Sequence, residues 1–163
     1  MKTLKLTAMA GLLASVANPS FAADLEADAG AKIIAPLQIS NATALYFGTI
    51  APSLTSADQV VVTPAGAKSC GAELTCLTDD HTAALFKVSG ESDATYTIDL
   101  PTRINISNGA GASMEVDAFT SSKSSGTLVS GSDSFTVGGT LDVTANQPTG
   151  EYTGTFTVAV EYQ

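Results

Sequence analysis

The sequence predicts an all-β domain, built as a sandwich or a barrel, and three observations support this class. Apolar and polar residues alternate in short runs along the chain, whereas no stretch beyond the first 22 residues repeats its apolar positions at a helical period. Residues that favour turns, chiefly Gly, Pro and Asn, interrupt the runs about every 8 to 12 residues. The runs are also rich in Val and Thr, which favour strands over helices.

Each alternating run places a set of apolar residues on one face of a predicted strand. A polar, Gly/Ser-rich stretch at 120–134 predicts a mobile hairpin tip or a long loop. In chain order, the apolar residues that share a face before the last run are Ala31, Ile33, Ala35, Leu37 and Ile39; Leu45 and Phe47; Val60 and Val62; Phe86 and Val88; Tyr96, Ile98 and Leu100; Ile104 and Ile106; Met114 and Val116; Phe135 and Val137; and Leu141 and Val143.

The chain ends on a long alternating run, GEYTGTFTVAVEYQ, at 150–163. We expect a strand of about 12 residues, roughly 40 Å if straight, where five or six residues are usual. An uncovered strand edge pairs readily with another chain, so this strand is predicted to be covered by a neighbour or used in assembly. Its apolar face consists of Tyr152, Phe156, Val158, Val160 and Tyr162.

The first 22 residues predict a signal peptide that is cleaved from the mature protein. Lys2 and Lys5 form a basic start, an apolar run at 6–17 follows, and Ser20-Phe21-Ala22 has the small-x-small pattern of a cleavage site. An uncleaved membrane anchor needs roughly 18 or more apolar residues, and this run is shorter. We therefore expect export through the periplasm to the cell surface or medium, with residues 23–163 as a single domain.

The charge of the mature chain argues against nucleic acid and lipid as partners. Loss of Lys2 and Lys5 takes the net charge from −9 to −11, and the remaining basic residues are scattered singly. Neither a basic face for nucleic acid nor a polybasic patch for anionic lipid is present. No second apolar stretch reaches membrane-spanning length, so no direct membrane insertion is expected.

Two cysteines, Cys70 and Cys76, are expected to form a disulfide, which is the usual state of an even pair in an exported chain. Free thiols are the alternative. A zinc site would need four ligands, and the sequence has one histidine, His81. That histidine follows Asp79 and Asp80, but neighbouring residues in an extended loop point in different directions, so we expect no enzyme activity, metal or other cofactor.

Two segments resemble the first and last parts of spore coat protein U-type domains. ALYFGTIAPS, at 44–53, has a short strand whose Phe47-Gly48 turns into a polar loop, and PTGEYTGTFTVAVEY, at 148–162, has a turn before a Tyr-x-Gly-x-Phe terminal strand. With VGGTLDV at 137–143 just before it, this pattern is most similar to a bacterial family of uncharacterised exported domains.

The resemblance implies an immunoglobulin-like antiparallel β-sandwich related to the subunits of chaperone–usher pili, especially the archaic kind. Such subunits lack one strand, which a periplasmic chaperone supplies first and the N-terminal segment of the next subunit supplies in the fibre. Carried over to this chain, the donor positions are Ala31, Ile33, Ala35, Leu37 and Ile39, and the acceptor groove is lined by Tyr152, Phe156, Val158, Val160 and Tyr162. Pro36 has no amide hydrogen, so one edge of this donor stays unpaired there.

Two functional hypotheses follow. The first is a structural subunit of a surface fibre or coat that polymerises with itself through strand exchange, assembled by a chaperone and an outer-membrane usher. The second is a self-contained exported module that binds a carbohydrate or a protein, in which the stretch 31–39 pairs within its own sheet.

Overall fold

Twelve antiparallel β-strands make up the regular structure of the computed structural model, which describes residues 24–77 and 80–163, and no helix occurs in these residues. The all-β class predicted from the sequence is therefore confirmed. The predicted signal peptide, 1–22, lies outside the described residues. The strands are β1 (Gln38–Thr43), β2 (Ile50–Ala51), β3 (Asp58–Val62), β4 (Lys68–Cys70), β5 (Thr75–Cys76), β6 (Ala84–Ser89), β7 (Thr95–Asp99), β8 (Arg103–Ser107), β9 (Ser113–Ser121), β10 (Ser125–Thr127), β11 (Ser132–Val143) and β12 (Ala159–Tyr162).

The chain divides into two units, residues 1–32 and residues 33–163. In the first unit, residues 24–32 have no regular secondary structure. All twelve strands of the described residues belong to the second unit. The domain boundary predicted at residue 23 thus precedes a stretch of irregular chain, and the regular structure begins at β1.

The strands form a large sheet, a three-stranded sheet and a short two-stranded pair, in a sandwich-like arrangement. The large sheet has the order β1-β6-β11-β3-β4, with β9 on β11 and β8 on β9; the second sheet has the order β10-β7-β12; and β2 pairs with β5. The long strand β11 connects the regions of the large sheet, because its first half pairs with β6 and its second half with β3. Strands β1 and β12 each lie at an edge of their sheets.

Two clusters of buried apolar side chains form the core. The first lies mainly on β6, β7 and the first half of β11, and it includes the fully buried Tyr96 and Val137. The second lies mainly on β3, β9 and the second half of β11, and it includes the fully buried Val60 and Val62. The alternation in the sequence predicted these faces, because each buried residue is followed by a more exposed one along β3 and β6.

The first strand lies further along the chain than the sequence predicts. The alternating run at 31–39 suggested a strand from Ala31, whereas β1 begins at Gln38 and pairs with β6 from Gln38↔Ser89 onward. Ile33 is 95% exposed, while Leu37 and Ile39 pack against the first core cluster. Pro36, which cannot donate a ladder hydrogen bond, marks the point where the irregular chain gives way to the packed strand.

The terminal strand is shorter than predicted. Ladder pairing is confined to β12, Ala159–Tyr162, with one isolated bridge between Thr153 and Ser107 upstream. The side chains nevertheless alternate through 152–162, and Val158 is buried whereas Thr157 is exposed. The predicted alternation of side chains along this segment is correct. The predicted strand length of about 12 residues is wrong, because β12 has four residues.

The stretch at 120–134 is more ordered than the long loop expected from its composition. It contains β10, which pairs with β7, and the fully buried Leu128. Lys123 donates to both oxygens of Asp133 at 2.9 Å, and the Tyr96 hydroxyl donates to the same carboxylate at 2.9 Å. This polar network ties the stretch to the second sheet.

The disulfide predicted between Cys70 and Cys76 is present, with the two Cα atoms 6.3 Å apart. It joins the end of β4 to β5. The adjacent turn is held by Asp58, whose carboxylate accepts hydrogen bonds from the backbone amides of Glu73 and Gln59, and these lower the pKa of Asp58.

Candidate functional site

An apolar groove of about 930 Å³ lies beside the second core cluster. We call it the open groove. Two chain segments line it, residues 44–50 and residues 147–156, together with apolar side chains from four strands of the large sheet. Those apolar side chains are Phe86 from β6, Ile104 and Ile106 from β8, Met114, Val116 and Phe119 from β9, and Leu141 and Val143 from β11.

The groove is open because the second sheet covers only one of the two clusters. Tyr96, Ile98, Val160 and Tyr162, all from β7 and β12, pack into or against the first cluster. Among the described residues, no side chain of that sheet contributes to the second cluster. Consequently Ile104, Ile106 and Met114 are only half-buried, although their strands face the core. The second cluster therefore presents a partly uncovered apolar surface.

The segment at 44–50 is paired along one edge. Tyr46 and Thr82 exchange two backbone hydrogen bonds of 2.9 Å, and the Leu77 amide donates to the Thr49 carbonyl at 2.9 Å. Ile50 then continues into β2, which pairs with β5. Within the described residues, no strand pairs with the other edge of this segment, which lies beside the open groove.

The segment at 147–156 is also paired along one edge only. Thr153 and Ser107 exchange backbone hydrogen bonds of 2.9 and 3.0 Å. At Gly154 the chain comes so close to β8 that an added Cβ would lie 2.7 Å from Ile106 Cγ2 and 3.0 Å from the Asn105 carbonyl oxygen. Glycine is therefore required at this position, because the two chains approach closely. Along its opposite edge, the segment has no strand partner among the residues described.

A buried glutamine holds the start of this segment in place. The Gln147 side-chain amide donates to the Ser113 carbonyl at 3.1 Å and to the Tyr152 hydroxyl at 2.9 Å. The Tyr152 hydroxyl in turn donates to the Pro148 carbonyl at 2.7 Å. Because a buried amide without partners is costly, these bonds fix the loop and preform one side of the groove.

The five predicted acceptor residues divide between two places. Tyr152 and Phe156 line the open groove, whereas Val158, Val160 and Tyr162 pack into or against the first core cluster. Phe156 belongs to both regions, because its ring lies 5.0 Å from the Phe119 ring and 6.0 Å from the Phe86 ring between centroids. The side of the groove formed by 44–50 was missed, since nothing in the sequence says which run lies opposite the terminal strand.

The five predicted donor residues also divide. Leu37 and Ile39 are half-buried against the first cluster of their own domain. Ala31 lies in the irregular stretch 24–32, and Ile33 and Ala35 are exposed. Three large apolar side chains before β1 are exposed: Leu25 at 94%, Ile33 at 95% and Ile34 at 42%.

Polar clusters elsewhere are internally compensated. Glu115, Asp117 and Asp142 place carboxylate oxygens within 4.8 Å of one another, but Arg103 donates to Glu115 and Gln59 donates to Asp142.

The ring of His81 is tied to the backbone, because its Nε2 lies 3.0 Å from the Gly66 carbonyl oxygen. Asp79, which the sequence places near this ring, lies outside the described residues.

The Asp133 network shifts two pKa values. Desolvation opposes ionisation of Asp133, but hydrogen bonds from Lys123, the Ser134 amide and Tyr96 together lower its pKa. Burial, followed by the hydrogen bond to Asp133 and its charge, raises the pKa of Tyr96. Asp133 therefore ionises more readily than an ordinary aspartic acid, and Tyr96 loses its proton less readily than an ordinary tyrosine.

The fold and groove together define an all-β, sandwich-like domain with an incompletely covered core. Within the described residues, no helix is long and apolar enough to cross a membrane. The chain belongs to the family described as "Domain of unknown function (DUF4402)", whose model matches residues 37–162. Neither the curated proteins nor the solved structures contain a match to the chain.

The limits of the family match coincide with those of the strands. The match begins at Leu37, one residue before β1, and ends at Tyr162, the last residue of β12. Residues 24–36 therefore lie outside the family domain, and we call them the N-terminal extension.

Proposed function

We propose that this protein is a structural subunit of an exported surface fibre or coat, in which the N-terminal extension of a second copy fills the open groove. The affinity would come from backbone hydrogen bonds to the two unpaired segment edges and from burial of apolar side chains. A periplasmic chaperone and an outer-membrane usher are the partners that such an assembly would use, by the resemblance to pilus subunits.

The open groove is the observation that carries this proposal. It exposes half-buried side chains such as Ile106 and Met114, and it is lined by the segments 44–50 and 147–156, each of which shows backbone pairing along one edge. A strand inserted between 44–50 and 147–156 would pair with both edges and complete the cover over the second cluster.

The occupant is argued from the extension itself. Ile33 and Ile34 are apolar and exposed, and they precede the family domain. The donor is therefore shifted toward the N-terminus relative to the sequence-based set, because Leu37 and Ile39 already pack in their own domain. In an inserted strand these two neighbours point to opposite faces, so one isoleucine enters the groove, and its full burial is worth about 1.5–3 kcal/mol before ordering costs are subtracted.

The alternative function is a self-contained exported module that binds a separate protein or carbohydrate. The pairing of β1 within its own sheet favours it, and the groove volume of about 930 Å³ is at the upper end of ligand sites. An apolar lining suits an apolar peptide segment better than a sugar.

The test compares assembly of the protein purified from native cells with that of two variants. On an unheated denaturing gel, the parent should give a ladder of multimers that collapses on boiling. Ile33→Ser combined with Ile34→Ser should abolish the ladder with little change in the thermal stability of the monomer, because Ile33 is 95% exposed and Ile34 is 42% exposed. The matched control, Val129→Ser, alters another apolar residue that is 67% exposed and should retain the ladder.

Two results would contradict the proposal. One is a parent protein that runs only as a monomer from native cells, which would favour the self-contained module. The other is a double variant that assembles as well as the parent.

A further inference from the structure

A hydrogen-bonded clasp joins the end of the last strand to the root of the N-terminal extension. The Tyr162 hydroxyl donates to the Ala35 carbonyl at 2.9 Å and accepts from the Glu91 amide at 2.7 Å. The Ala35 amide donates to the Glu91 carboxylate at 3.2 Å. We call these three residues the Tyr162 clasp.

The turn before Glu91 is shaped to receive the phenol. A Cβ added at Gly90 would lie 2.2 Å from the Tyr162 hydroxyl oxygen, so only glycine leaves room for it. The Gly90 amide also donates to the Gly131 carbonyl at 3.0 Å, which fixes the position of the turn. Both partners of the hydroxyl are backbone groups, and the Glu91 amide belongs to a turn that is held in place by its neighbours.

The clasp lies next to a weakly supported element. Strand β1 is an edge strand whose only ladder partner among the described residues is β6, and its register shifts between Asn41 and Thr43. Edge strands with irregular pairing open more readily than central ones. Ala35 precedes β1 by three residues, so the clasp attaches the start of this strand to β12, in the other sheet.

We propose that Tyr162 is a positioning residue that fixes Ala35 and thereby keeps β1 in its own sheet, so that only the residues before Ala35 are available to a second copy. The biological use of this lock rests on the proposed function. When a neighbouring copy binds the extension, mechanical tension along the extension reaches the domain at Ala35. The clasp transmits that tension to β12 and to the turn at 90–91, so β1 stays paired with β6.

The lock is tested by amide hydrogen exchange on the mature, monomeric protein. Tyr162→Phe removes the hydroxyl and keeps the ring, and exchange in peptides covering 37–43 should become about tenfold faster, from the loss of two hydrogen bonds. Exchange in peptides from β11 should not change. The matched control, Tyr152→Phe, removes a hydroxyl that bonds elsewhere and should leave 37–43 unchanged.

A second variant reaches the same bonds by a different route. Gly90→Ala places a methyl group where the hydroxyl lies and should reproduce the faster exchange at 37–43. Combined with Tyr162→Phe it should add little, because both changes break the same contact. The proposal is overturned if exchange at 37–43 is unchanged in Tyr162→Phe, or if it rises equally over the whole domain.

This readout is independent of assembly. A local rise in exchange at 37–43 together with a parent protein that never forms multimers would retain the clasp and reject the fibre function. Multimers of the parent protein, together with unchanged exchange at 37–43 in Tyr162→Phe, would retain the fibre function and reject the clasp.

Discussion

Phe156 offers the sharpest test of how the terminal segment is held in place. Between the Thr153 bridge and β12, this segment has no ladder pairing, so side-chain packing must hold it there. The Phe156 ring contacts Phe119 and Phe86 at centroid distances of 5.0 and 6.0 Å, joining β9 and β6 to the segment. Phe156→Ala should therefore loosen the segment and widen the open groove.

The expected loss follows from partial burial. Truncation of a fully buried Phe costs about 3–5 kcal/mol, and the side chain of Phe156 is half-buried. Two aromatic contacts, each worth about 0.5–1.5 kcal/mol, are part of this cost. We expect the free energy of unfolding to fall by about 2–3 kcal/mol.

Urea unfolding followed by circular dichroism measures this loss. With a slope of about 1–3 kcal/mol per molar urea, the midpoint should fall by about 0.7–3 M. Thr157→Ala is the matched control, because Thr157 is the exposed neighbour on the same segment, and its change should stay within about 0.5 kcal/mol. A loss below about 1 kcal/mol for Phe156→Ala, or an equal loss for the control, would refute the packing argument.

Three further changes should affect stability. Replacing both cysteines of the Cys70–Cys76 disulfide by Ala should cost about 2 kcal/mol in urea unfolding, because the small loop is no longer closed; an unchanged midpoint would contradict this. Gly138→Ala should cost about 3 kcal/mol or more by the same assay, because its Cβ would lie 2.1 Å from the Val62 carbonyl oxygen, and a neutral result would mean that β11 shifts freely. The lowered pKa of Asp133 means that its ionised form stabilises the fold above its ordinary pKa of about 3.9, and that this contribution is lost as pH falls through the lowered value. Asp133→Asn should therefore be less stable than the parent at pH 7, and its urea midpoint should fall less between pH 5 and pH 2. Equal falls in midpoint for parent and variant would contradict a stabilising role of the ionised Asp133.

The strand faces could be predicted from the sequence because burial on one side leaves a period of two. Val60 and Val62 are fully buried with the more exposed Val61 between them, and the same alternation marks Phe86 and Val88. A disulfide between two cysteines six positions apart is equally local. Such features depend on neighbouring residues alone, so one sequence contains enough information to locate them.

Pairing partners and strand ends could not be predicted in the same way. The alternation from Ala31 to Ile39 is continuous in sequence, yet only its last residues meet a partner, because β6 offers pairing from Ser89 back to Leu85. Similarly, Tyr152 and Phe156 lie on the same face of the terminal segment as Tyr162. Only Tyr162 belongs to the second sheet, because β12 begins at Ala159. Which strand lies opposite another is decided by tertiary contacts, and these leave no period in the sequence.

The position of the clasp also decides which copy of the extension can fill a given groove. The open groove begins near Asn41, and the six residues from Ala35 to Asn41 span about 20 Å when extended. Ile33 and Ile34 lie within two residues of the clasped Ala35, so about 7 Å of chain separates them from it, too little to reach the groove of their own domain. In the proposed assembly, Ile33 and Ile34 therefore reach a groove on another molecule while the clasp is closed.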